Sequence, residues 1–99
     1  MIALPEPICF DWNKGNIDKN LKKHGITNKE SEEVFTNRPF IASLDKKHSS
    51  KHERRYQALG KTDNNKILFL SFTIRIEKIR VISARKANTK ERKAYEKKH

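Results

Sequence analysis

Ninety-nine residues with 34% hydrophobic and 35% charged side chains fit one small domain with a thin core. A formal charge of +11 argues for a polyanionic partner, of which nucleic acid is the commonest. The charge is uneven: residues 1–45 hold 6 Lys/Arg against 7 Asp/Glu, and residues 46–99 hold 17 against 5.

A lone cysteine, Cys9, has no partner for an internal disulfide, which fits a reducing cytoplasm. Set between Ile8 and Phe10, it reads as a small hydrophobe rather than a reactive thiol. No basic segment followed by an apolar run opens the chain, so no signal peptide is expected. No apolar stretch nears the roughly 20 residues of a membrane helix, so no membrane partner is expected either.

The sequence predicts a single domain over residues 1–99, with residues 1–7 a loose, proline-bearing lead-in. Ile8 to Trp12 reads as a short strand or an ordered arm. Asn13 is a fair cap for a helix running to about Lys23 or His24, with Ile17, Leu21 and His24 on its inner face and Gly25 as its left-handed stop. Thr27-Asn28-Lys29-Glu30 is a capping box for a second helix ending near Phe35. Both helices are short enough to need something to lie on. Strands follow at Phe40–Leu44, Arg54–Leu59, Lys66–Thr73 and Ile79–Arg85, with turns at Asp63-Asn64-Asn65 and around Arg75 to Glu77. Apolar residues of both parities mark the third strand as central and covered on both faces. Short connections imply an antiparallel meander. Asn88-Thr89-Lys90-Glu91 opens a last helix whose apolar face is little more than Ala94 and Tyr95. The fold class is therefore α+β: two short N-terminal helices packed on an antiparallel four-stranded sheet, with a C-terminal helix.

Gly-rich phosphate loops, paired-cysteine zinc motifs and nucleophile elbows are missing, so no cofactor is expected. His48 and His52 invite a metal reading with Asp45 or Glu53, but the residues between them make a poor helix, and no metal is expected. Glu53-Arg54-Arg55-Tyr56 says more. Strand alternation points Glu53 and Arg55 to one face and Arg54 and Tyr56 to the other, either as a surface ion pair or as a carboxylate orienting an arginine over phosphate. Arg80 and Arg85 lie five apart and share a face only if a bulge intervenes or Arg85 lies past the strand. Lys23 and His24 end the first helix, where a histidine equally serves to satisfy helix carbonyls. Trp12 is read as a core or partner anchor. Tyr95 is either a packing residue or a hydroxyl in the cleft.

Taken in order, Phe10-x-Trp12, Lys14, Asn20-Leu21-x-Lys23-His24-Gly25, Val34-Phe35, Glu53-x-Arg55-Tyr56, Gly60, Thr73-x-Arg75, Ile79-Arg80-x-Ile82-Ser83-Ala84-Arg85-x-Ala87, Glu91-Arg92 and Tyr95-Glu96 resemble the BrnT family of bacterial toxins. Arg54 stands where that family usually has a second acid. The resemblance implies a RelE-like ribonuclease fold and a metal-independent endoribonuclease that blocks translation. It also implies a BrnA-like antitoxin of ribbon-helix-helix type, bound in a heterotetramer and carrying the contact with operator DNA. Cleavage would proceed by attack of a ribose 2′-OH on the adjacent phosphate. Arg80 and Arg55 are the first candidates for stabilising that phosphate; Glu53, His24 or Lys23 for the base; Arg85 and Tyr95 for further phosphate contact or proton donation. Two other readings compete: a non-catalytic nucleic-acid-binding module or co-repressor, and a Phe40–Thr73 surface that is chiefly a protein interface.

Overall fold

Alternation is what builds the sheet. Leu68, Leu70 and Phe72 are fully buried, while Ile67, Phe69 and Ser71 between them are only partly covered, as a pleated strand requires. The computed structural model describes residues 2–98. Met1, which opens the expected lead-in, and His99, which ends the expected domain, lie outside the described residues. The elements run α1 (Lys19–His24), α2 (Asn28–Thr36), β1 (Ile41–Leu44), β2 (Arg55–Lys61), β3 (Ile67–Arg75), β4 (Lys78–Lys86) and α3 (Thr89–Glu96). The strands form one antiparallel sheet in chain order, so the expected α+β meander is what the chain makes.

α2 covers one face. Its capping box is formed by Thr27 and Glu30, and it buries Val34 and Phe35 against Ala58, Leu70, Phe72 and Val81. Phe35 meets Phe72 and Phe10 edge to face, with ring centroids 5.0 and 5.4 Å apart. Gly60 allows α2 to approach β2 this closely, since a Cβ there would sit 2.5 Å from a Val34 methyl. The opposite face is partly covered by α3, again capped by a reciprocal box, between Asn88 and Glu91. Tyr95 is its one buried residue; Ala94 stays exposed.

The free edge of β4 is closed by the N-terminal arm and α1. Ile79 N–H donates to Cys9 O, Asp11 N–H to Ile79 O, and the Asn16 amide to Val81 O, while the Asn20 carbonyl accepts from Ala84 N–H. Those bonds correct the expected inner face of the first helix. Asn16 and Asn20 are buried, whereas Ile17 and Leu21 are 46% and 45% exposed and His24 is exposed. The helix packs on exposed backbone rather than on an apolar surface, so amides face in. It is also shorter than expected: Asn13 opens a turn and accepts from Gly15 N–H, but Asp18 is left-handed (φ 56°), and α1 begins at Lys19. Gly25 stops it, as expected, at φ 70°. In the arm, Ile8 and Phe10 pack against the core, and so do Ile2 and Leu4 of the lead-in. Cys9, between them in alternation, is therefore exposed rather than a core hydrophobe.

Candidate nucleic-acid interface

One irregularity decides which side chains share a face. Pairing between β3 and β4 shifts at Ser71/Phe72, with Val81 opposite Phe72 and Ser83 opposite Ser71, so Ile82 is an extra residue in β4. The bulge moves everything after it by one place. Arg80 stands opposite Thr73 and Arg85 opposite Phe69, and both fall on the face that carries α3. On the other side of Thr73 stands Arg55. Arg55, Thr73 and Arg80 thus form one row across three strands, with the arginine Cα atoms roughly 10 Å apart at ordinary strand spacing. Two residues nearer the hairpin, Arg75 pairs with Lys78 on the same face.

These cations are held differently. Arg80 is only 13% exposed; its Nη2 donates to Asn13 Oδ1 at 3.1 Å, and its Nη1 lies 3.4 Å from the Asp11 carboxylate. That contact is ionic without hydrogen-bond geometry, since Nη1 has no hydrogen-bond partner among the described residues. Arg55 and Arg75 are 39% and 51% exposed and share Glu53, which takes bonds of 2.6 and 3.0 Å from Arg75 Nη2 and Nε and an ion-pair contact of 3.5 Å from Arg55 Nε. The Arg75 bonds, aided by the charge of Arg55, hold the Glu53 carboxyl below its usual range despite partial burial. Four cations (Arg55, Arg75, Lys78, Arg80) face three carboxylates (Glu53, Asp11 and Glu77 of the β3–β4 turn), which leaves a net positive end to the sheet. The predicted split of the Glu53–Tyr56 segment agrees with this, as Tyr56 turns to the core and stacks on Phe72.

The remaining candidates lie elsewhere. Arg85 is four residues along β3–β4 pairing from the Arg80 row, spread over Phe69 at 4.5 Å and bonded by both terminal nitrogens to Glu91 (2.8 and 3.0 Å). That pair raises the Arg85 pKa and lowers that of Glu91. Tyr95 is buried, its hydroxyl donating to Pro39 O at 2.7 Å, and burial pushes its pKa up. Lys23 and His24 are exposed at the end of α1, beyond the Asn20–Ala84 bond and so at the far end of β4 from Arg80. Trp12 donates to Glu32 at 2.7 Å and packs on the core. His48 pairs with Asp45 at 2.8 Å, and among the described residues no three His, Cys, Asp or Glu gather as a metal site. A hollow of about 330 Å³ lies between the lead-in and Phe40, and none of its lining residues belongs to the arginine row.

Arg75 belongs to this cluster, although the sequence alone marks it as part of the Thr73-x-Arg75 pattern and not as a site residue. Ending the third strand at Thr73 hid it; carrying the alternation two residues further finds it.

Helices on both faces of a small antiparallel sheet, with one end of the sheet lined by arginines, define a basic α+β domain suited to gripping a polyanion. Residues 12–91 match the family model described as ribonuclease toxin, BrnT, of type II toxin-antitoxin system, and the chain belongs to that family. No curated protein matches it. Membership makes RNA the substrate class and an antitoxin the partner class. Among the described residues, no helix is long and apolar enough to cross a membrane.

Proposed function

We propose that this chain is a cytoplasmic endoribonuclease that cleaves RNA without a metal and thereby inhibits translation. The observation that carries it is the row of Arg55, Thr73 and Arg80, with Arg75 beside it, on one face of the sheet. In the reaction, a ribose 2′-hydroxyl gives its proton to a base as its oxygen bonds to the adjacent phosphorus. The bond to the 5′-oxygen breaks, and that oxygen takes a proton from solvent, leaving a 2′,3′-cyclic phosphate and a 5′-hydroxyl. Negative charge builds on the equatorial oxygens, and that is where fixed cations act. Arg80, fastened by Asn13 and Asp11, supplies charge that need not reorganise. Arg55 and Arg75, more exposed, have the freedom to close bidentately on phosphate.

Glu53 orients those two arginines, and it is the one expected base that sits with the row. Its lowered pKa makes it a weak base, which costs rate. Lys23 and His24 would serve only RNA lying across the far end of β4. The partner is proposed to be a BrnA-like ribbon-helix-helix antitoxin in a heterotetramer, through which the pair reaches operator DNA.

The test is cleavage of single-stranded RNA in EDTA by Arg80→Ala and Arg55→Ala, with folding checked by thermal melting. Each should lose roughly 100-fold or more. Undiminished cleavage by both variants would end the assignment. A binding module is the second reading, favoured by the engagement of Glu53 in ion pairs; RNA bound but left intact by the wild-type protein would select it.

A further inference from the structure

We infer that Ile76, at the tip of the β3–β4 hairpin, packs against a base of the single-stranded RNA whose phosphate the arginine row holds. The inference rests on the nuclease reading above and adds to it a residue that touches the base rather than the phosphate.

Arg75 pairs with Lys78, so Ile76 and Glu77 are the whole connection between two nine-residue strands. Both are left-handed, at φ 48° and 62°. A two-residue turn of this hand suits the twist of the strands but asks for Asn-Gly or similar residues. A β-branched side chain at positive φ is a true outlier, because its Cβ substituents crowd the backbone. Nothing in the fold compensates, since Ile76 is 93% exposed. The isoleucine thus serves neither the turn nor the core. Strain kept at an exposed tip is a reason to look for a ligand.

The surroundings indicate which ligand. Ile76 lies between Arg75 and Glu77, with Lys78 one residue further, and the Arg75–Lys78 pair is about 7 Å along the strands from the Thr73–Arg80 pair. Glu77 completes the turn, but the cross-strand neighbours Arg75 and Lys78 and the arginine row behind them keep this end net positive. An apolar side chain beside that row matches a single strand, in which each apolar base face lies next to a phosphate. Duplexes hide those faces, whereas unpaired bases are commonly met by side chains that pack on them. An apolar protein partner would not need the neighbouring cations.

Ile76→Asn gives the turn the residue its geometry favours and removes the apolar tip without changing charge. The protein should melt roughly 5 °C higher. Its Kd for a fluorescein-labelled single-stranded RNA should weaken roughly 5- to 10-fold. The slope of log K against log salt should not change, because no phosphate contact is lost. Ile76→Leu should bind within about two-fold of wild type, as most of the apolar surface returns. Wild-type binding with an unaltered Kd in Ile76→Asn overturns the inference and leaves the nuclease reading intact. Wild-type protein that neither binds nor cleaves RNA overturns both.

Discussion

The face of the sheet that carries α3 has arginines at both ends, and they live in different electrostatic worlds. At the α3 end, Arg85 has a carboxylate of its own, two charge-assisted hydrogen bonds and an aromatic ring beneath it. At the hairpin end, Arg75 also gives two hydrogen bonds to a carboxylate but shares that carboxylate with Arg55, and Arg80 bonds Asn13 while meeting Asp11 without a hydrogen bond. A guanidinium with a carboxylate of its own contributes to stability; a cluster in which cations outnumber carboxylates has charge to spare for binding. The same residue type on the same face therefore serves two purposes, separated by about 13 Å of strand.

Exchanging the two by mutation gives the largest contrast. Arg80→Ala should cost cleavage roughly 100- to 1000-fold, an effect far larger than the roughly 1 kcal/mol of stability lost with its bond to Asn13. Arg85→Ala should do the reverse, with cleavage within a few-fold of wild type and stability lower by about 1–2 kcal/mol. Parallel activity and denaturation measurements decide it. If Arg85→Ala abolishes cleavage while melting normally, the two ends are not divided as described.

A gentler change reaches Arg80 without removing it. A Cβ at Gly15 would sit 2.9 Å from Arg80 Nη2 and 3.2 Å from Asn13 Oδ1. The neighbour is the far end of a flexible side chain, so Gly15→Ala should leave stability nearly unchanged while shifting the guanidinium. Cleavage should fall roughly 10-fold, because catalysis is sensitive to displacements of this size. Unchanged rates would mean that the exact placement of Arg80 does not matter.

How far these two ends could be read in advance depends on how local their causes are. Both capping boxes, the Gly25 stop, and the alternation that sends Tyr56 to the core and Arg55 outward were legible, because neighbouring residues decide them. The bulge was not. Val81-Ile82-Ser83 carries no glycine or other mark of an extra residue, yet it alone puts Arg80 and Arg85 on one face. Asn16 and Asn20 were hidden for a related reason: amides look misplaced on an inner helix face until an unpaired strand edge is known to lie beneath them. Ile17 and Leu21 drew attention instead, because apolar spacing is the usual sign of a buried face.

Tyr95 probes the stabilising end further. Tyr95→Phe removes the donor to Pro39 O and should cost about 1 kcal/mol, with cleavage unchanged. A large loss of cleavage at normal stability would return the hydroxyl to the reaction.

The smallest effect is in acid. Glu91 is held below its ordinary pKa, first by its bond from Arg85 and further by the Asn88 N–H and the Arg85 charge, against the opposing pull of burial. A carboxyl whose pKa is lower folded than unfolded adds stability above its unfolded value and loses it as pH falls through the folded one. Wild-type stability should therefore decline from about pH 4.5 downward, with Glu53 and Glu30 contributing in the same sense. Glu91→Gln keeps an oxygen for the Asn88 N–H but gives up the charge. At pH 7 it should be less stable by about 0.5–1 kcal/mol, a modest figure because Arg85 is partly exposed to water. As pH falls through the lowered folded value the wild-type and variant curves should converge, since the native glutamate is then also uncharged. Urea denaturation at pH 7, 5, 4 and 3 measures this, and curves that stay parallel throughout would show that the Arg85–Glu91 pair adds nothing to folding.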